Sequence, residues 1–326
     1  MANKKKQHFV PQCYLRGFAN EQSQLFSLNK VYFSKPANSY STSSVAWREY
    51  FHDVDASMFE KPEMGPQQVE DELSKVEGIF RETLNVFLAE ADAGSVSVET
   101  SMRFAPFVAI QWLRTESVRK ALAETDIAFK QAVVDALSGI EHGVPAQRLV
   151  PPTDHEKLLH LSYLTDNSAI QRLSSRFANM VWIIGRNSTS QPVYTSDSPI
   201  VRHRNPPKDD PDRVNSDVGL VFVFPLNSHF LLFMAERYMA TQVSKVKISE
   251  LDRQTIEFSD TDLRFCNKLQ VAQSRQYVYC LNDDFNFARE VCWDEPRICD
   301  PDRERIRITS VEFEGNNIRV SAKFVE

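Results

Sequence analysis

The chain has 326 residues, 42% of them apolar, and a formal net charge of −6. That supplies a sizeable core in one compact domain with an appendage, and the acidic balance argues against a general nucleic-acid coat while leaving room for a local basic groove. No window comes near the roughly 20 apolar residues of a membrane span, and the basic start lacks the apolar stretch of a signal peptide, so the sequence reads as a soluble, cytoplasmic protein without a membrane partner.

The opening run His8-Phe9-Val10-Pro11-Gln12-Cys13-Tyr14-Leu15-Arg16-Gly17-Phe18 holds polar groups among apolar ones, and such groups must find partners or do work. If residues 8 to 18 turn as a helix, His8, Gln12 and Arg16 rise along one face, with Pro11 in the first turn. From Leu25 to about Phe51 the alternation of apolar and polar residues predicts short strands with a turn near Asn29-Lys30, and Ser39 to Ser44 reads as a polar loop. Pro66 is expected to open a helix, along which Val69, Leu73, Val76, Phe80, Leu84 and Phe87 recur at helical spacing until Gly94. Glu70 and Glu77 lie on the edge of that stripe.

A second helix is predicted over about Glu99 to Leu137, enclosed between Phe104 and Leu113, with Pro106 as a kink or as its start. Arg103, Gln111 and Arg114 fall within about 80° of one another on it. An Arg on a buried helix answers a carboxylate, and Asp197 or Glu77 is the partner expected for Arg114. Asp154 is a candidate cap for a helix through His160, and Asn167 to Arg176 predicts another. His155 and His160, five residues apart, point about 140° from each other on a regular helix and cannot close on one metal.

Short apolar runs at Met180 to Ile184, Pro192 to Thr195, Gly219 to Leu226 and Phe230 to Met234 read as central strands, separated by a charged, proline-rich loop from Arg202 to Asp217. A helix is predicted from about Ser249 through Ser274, then a strand over Gln276 to Leu281, and the tail from Arg305 to Val325 alternates as a hairpin around Glu314-Gly315-Asn316-Asn317. The fold class is therefore α+β, a helical middle region packed on a mostly antiparallel central sheet, with a C-terminal hairpin. Five cysteines, at 13, 266, 280, 292 and 299, form no CxxC pair and read as reduced thiols. No Gly-rich phosphate loop and no Gly-x-Ser-x-Gly elbow occurs.

Asp197 follows a buried strand and precedes Pro199, so its carboxylate is either a site residue at the sheet's end or an ordinary Asx turn. The segments His-Phe-Val-Pro-Gln-x-Tyr-Leu-x-x-Phe at 8 to 18, Gln111-x-x-Arg114, Tyr194-Thr195-Ser196-Asp197-Ser198-Pro199, Pro225-Leu226 and Asn267-x-x-Gln270 before Tyr277-Val278-Tyr279 resemble the bacterial domain-of-unknown-function family 4238, over about residues 7 to 285. The resemblance implies a single α+β domain over 1–285, with 286–326 as an extension carrying the hairpin, and an association with anti-phage defence. On that basis the expected function is a defence effector that hydrolyses a phosphodiester or nucleotide. His8, Asp197 and Arg114 are the candidate catalytic residues, with Arg16 helping Arg114 to stabilise phosphate charge and Gln12 and Gln111 orienting substrate. Asp197 either holds a divalent metal ion or acts as base. The expected partners are a nucleic acid or nucleotide and a phage-derived trigger. The alternatives are a sensor that binds without turnover and a purely structural polar network.

Overall fold

The computed structural model describes residues 5–53, 67–140, 148–204, 219–236, 248–314 and 317–324. The chain opens with β1 (Lys6–His8), which pairs antiparallel with β4 (Trp47–Glu49). Pro11, extended at φ −60° and ψ 139°, stands before α1 (Gln12–Leu15), a single turn continued as a 3-10 turn over Arg16–Phe18. His8 therefore belongs to a strand and does not share a helix face with Gln12 and Arg16; Pro11 stands just before the turn, where its fixed φ fits extended backbone and its missing N–H leaves no helical bond unmade. Gly17 is required by a close approach, since a Cβ there would lie 2.9 Å from Asn227 Cβ. Next come β2 (Gln24–Asn29) and β3 (Asn38–Ser41), an antiparallel pair. The second of these occupies part of the segment expected to be a polar loop.

Helix α2 (Gln68–Asp92) buries Val69, Leu73, Phe80, Leu84 and Phe87, as their spacing predicts. The long helix expected next is two: α3 (Val98–Leu113), capped by Ser97, and α4 (Glu116–Ile140). The break falls where the Thr115 hydroxyl accepts from Val118 N at 3.4 Å, a side-chain cap that starts a new helix. Pro106 lies inside α3 rather than at its start. Helices α5 (His155–Thr165) and α6 (Asn167–Ala178) follow, and the Asp154 side chain makes no capping bond, whereas Asp166 caps α6.

The central sheet runs in the order β10-β5-β9-β8-β7, built from β5 (Val181–Asn187), β7 (Val201–Arg204), β8 (Leu220–Pro225), β9 (Phe230–Ala235) and β10 (Gln254–Phe258). All neighbours are antiparallel except β5 and β10. The middle strands are buried along nearly their whole length, which explains why they read as continuous apolar runs. Phe104 and Phe87 of the helical layer pack on Trp182, and Phe177 packs edge-on to Phe222 at 5.0 Å. Gly185 lets the Phe258 ring close over the sheet; a Cβ would meet that ring at 2.5 Å.

A second sheet, β3-β2-β11-β6, joins the opening region to β6 (Thr195–Ser196) and β11 (Tyr277–Cys280). The helix expected over 249–274 is divided into α7 (Ile248–Leu251), strand β10 and α8 (Asp260–Gln273). Ser259 and Asp262 form a capping box that fixes the start of α8, and residues 254–258 pair instead with the free edge of β5. After β11, α9 (Asn286–Asp294) and a 3-10 turn over Pro296–Cys299 share a small core with Leu28, Val271 and Val278. The chain ends in the hairpin β12 (Ile306–Glu314) and β13 (Asn317–Phe324). Two turn residues of that hairpin, most of the 202–217 loop and Pro66 lie outside the described residues.

Candidate functional site

Six side chains were expected from the sequence to assemble, and the structure places four of them, His8, Gln111, Arg114 and Asp197, in two groups. In the first, Arg114 is 3% exposed, bonds Glu77 Oε1 at 2.9 Å and donates to the His8 main-chain oxygen, which settles its carboxylate partner as Glu77 rather than Asp197. Gln111, also 3% exposed, donates to Phe9 O at 3.4 Å. The His8 imidazole bonds the Ser43 main chain, and its Nε2 is buried without a partner. Burial, reinforced by Lys6 and Arg114, pushes His8 down to about 4, so it is a neutral ring at physiological pH. Gln12 is half-buried, whereas Arg16 is exposed, as is Arg103, which only approaches Glu99 one turn away. The gap beside Glu77, Gln111 and Arg114 holds about 10 Å³, about one water's worth of space and too little for a substrate.

Asp197 belongs to the second group. Its Oδ1 accepts from Arg275 N at 2.7 Å and its Oδ2 from Gln276 N and Tyr277 N at 2.7 and 2.8 Å, so the carboxylate closes the turn that leads into β11. Neighbouring residues interlock in the same way. The Tyr14 hydroxyl lies 2.7 Å from both Thr195 Oγ1 and Pro225 O, tying α1 to both sheets. Asn267 holds Tyr194 N and Pro192 O, and Gln270 takes the Ser196 hydroxyl while donating to Pro199 O. Every one of these bonds is between groups at most partly exposed, where an unmade bond costs about 1–3 kcal/mol.

Asp197 also supplies negative charge to three cations around it. Lys30 is fully buried and donates to Val271 O, Ser274 O and Ile298 O at 2.6, 2.9 and 2.9 Å. Burial and the nearby Arg303 pull it down to about 7, and Asp197 opposes that fall. Arg303 is lowered to about 10 by burial and by Arg305, and donates to the main-chain oxygens of Ile298, Asp300, Ala272 and Ser274. Arg305 is likewise lowered by burial and supported by Asp197.

Arg303 and Arg305 open onto a cleft of about 700 Å³. Helix α4 gives it an apolar wall of Val118, Ala121 and Leu122, and Trp112 and Phe265 add aromatic surface. Ser198, next to Asp197, reaches its base and donates to Ser117 Oγ at 2.6 Å. Among the described residues, five cations, Arg202, Lys268, Arg297, Arg303 and Arg305, line it against one carboxylate, Glu295, which pairs with Lys268 at 2.7 Å. Arg305 donates from Nη1 to Gln273 O at 3.2 Å, while its Nε and Nη2 are buried with no acceptor. These residues were missed from sequence because they come from four separated segments; the signal available was Arg297, Arg303 and Arg305 clustered in an acidic chain.

Among the described residues no group of three His, Cys, Asp or Glu side chains is arranged to hold a metal, and no helix is long and apolar enough to cross a membrane. His155 sits 2.9 Å from Asp126, and His160 bonds Leu113 O and Arg119, so the two imidazoles serve different contacts. All five cysteines are free thiols. A family model described as a protein of unknown function (DUF4238) matches residues 6–284. No curated protein and no solved structure matches the chain.

Proposed function

The chain belongs to the DUF4238 family of proteins of unknown function, and we propose that it recognises a phosphate-bearing ligand, a nucleotide or nucleic acid, in the basic cleft, in the anti-phage defence role that the sequence resemblance implies. The observation that carries this reading is the imbalance, among the described residues, of five cationic side chains against one carboxylate around a single cleft, in a chain whose net charge is −6. Such a concentration of one sign against apolar walls focuses the field on an anion and raises its local concentration.

Recognition is favoured over hydrolysis by the placement of the proton-handling pair expected from the sequence. The His8 ring bonds the Ser43 main chain and its Nε2 is buried away from the cleft's solvent, and both oxygens of Asp197 are occupied by main-chain N–H groups. The deciding experiment is phage plaque formation on cells carrying the wild type or an Arg297→Glu, Arg305→Glu double variant, at matched protein abundance. Lost protection by the variant supports a working cleft. Full protection with two charges reversed in the cleft would contradict it.

A further inference from the structure

We propose that the occupant of the cleft is a mononucleotide, its phosphate held on the Nε–Nη2 edge of Arg305 and its base against the aromatic wall formed by Trp112 and Phe265. This rests on reading the cleft as an anion site and adds the ligand class. A guanidinium presents two parallel N–H groups along its Nε–Nη2 edge, and that edge matches two oxygens of a phosphate. In Arg305 the two groups of this edge have no acceptor and are covered from water, with Nη1 fixed on Gln273 O, so a phosphate in the cleft that Arg305 lines reaches them once the covering side chains move aside. Gln273 is itself held by the main chain of Arg202 through its Oε1 and Nε2, so the guanidinium is aimed by two successive contacts. Asp197, Glu124 and Glu116 offset its charge, but none accepts a hydrogen bond from that edge, so two donors are left for an anion to take up.

The rest of the cleft fits a flat, partly apolar group and not a second row of phosphates. Phe265 keeps 37% of its surface exposed, with His203 edge-on to it at 5.2 Å, so one ring face is available for stacking. Trp112 is held edge-on by Phe222 at 6.3 Å. The volume of about 700 Å³ lies within the range of small-molecule sites, roughly 300–1,000 Å³. A nucleic-acid track would instead spread its cations along a surface to meet successive phosphates. Here Arg303 and Arg305 are gathered at Asp197, and Arg303 spends its donors on main-chain oxygens.

Calorimetric titration of the full chain tests this with AMP, GMP, CMP and UMP, and with adenosine, ribose 5-phosphate, pyrophosphate and a 12-nucleotide single strand as comparisons. At least one nucleotide is expected to bind at least tenfold more tightly than ribose 5-phosphate, and adenosine is expected to bind at least tenfold more weakly than AMP. Arg305→Lys, which keeps the charge and loses the paired edge, should weaken nucleotide binding tenfold or more. Phe265→Ala, at an exposed ring, should weaken nucleotides and leave pyrophosphate unchanged. Pyrophosphate binding without any preference for a nucleotide over ribose 5-phosphate would overturn the nucleotide assignment and leave the anion site standing. Tighter binding of the single strand than of every mononucleotide would also overturn it, in favour of a nucleic acid. Absence of binding by every anion would overturn both readings, and the ligand comparisons decide the matter even where a variant fails to fold.

Discussion

Replacing Asp197 by Asn separates a structural carboxylate from a chemical one. Asp197 is 3% exposed and accepts three main-chain N–H bonds, two on Oδ2 and one on Oδ1. In its better orientation the Asn oxygen keeps the Gln276 and Tyr277 bonds and turns an NH2 group toward Arg275 N, which loses one bond and sets donor against donor. A lost bond to a charged group costs about 1.5–3 kcal/mol, and removing one partner of a buried charge cluster costs about 3–5 kcal/mol. These overlap, so about 4 kcal/mol is expected, or a fall in Tm of about 8 °C at roughly 2 °C per kcal/mol for a chain of this size. Thermal unfolding followed by near-UV circular dichroism, beside the plaque assay, gives both readouts. A variant that melts within about 2 °C of the wild type yet loses protection would refute the reasoning and return Asp197 to the chemistry.

Three further outcomes follow from buried contacts. Tyr14→Phe removes the hydroxyl between Thr195 and Pro225 and should lower the unfolding free energy by about 1–3 kcal/mol in urea; an unchanged midpoint would mean the junction is not held by that group. Glu77→Ala should destabilise more than Arg114→Met, because Arg114 is 3% exposed and Glu77 is 29% exposed, so the stranded carboxylate can be hydrated and the stranded guanidinium cannot; equal losses would contradict this. Burial lowers His8 to about 4, His160 to about 3 and His52 well below its ordinary value. The folded state then binds fewer protons than the unfolded chain between those values and 6.5, so stability is fully present above pH 6.5 and falls as pH drops toward 4. A urea midpoint that stays flat from pH 7 to 4.5 would count against neutral buried imidazoles.

Much of the scaffold is legible in the sequence because periodicity and capping act locally. Val69 through Phe87 announce α2 by spacing alone, and the apolar runs at 220–225 and 230–235 announce strands enclosed on both faces. The misread elements are those decided by distant partners. Residues 254–258 form a strand only because β5 offers an edge, and the Thr115 cap splits a pattern that looks continuous. Of the candidate site, the ion pair of Arg114 was readable as far as two candidate partners, Glu77 and Asp197, since a buried Arg on a helix demands a carboxylate; the fold selects Glu77. The cleft was not readable: β7, α4, α8 and the segment beyond residue 294 meet only in three dimensions, and three of its five cations lie beyond the residues the family model matches.

The central claim is that the cleft is a phosphate site completed at Arg305, and thermal unfolding of wild type and Arg305→Lys with and without pyrophosphate tests it most directly. At about 100 times Kd a ligand specific for the folded state stabilises it by about 2.7 kcal/mol, a rise in Tm of roughly 5 °C. The account predicts that rise in the wild type and its near loss in Arg305→Lys. Equal shifts in the two proteins, or no shift in either, would contradict it.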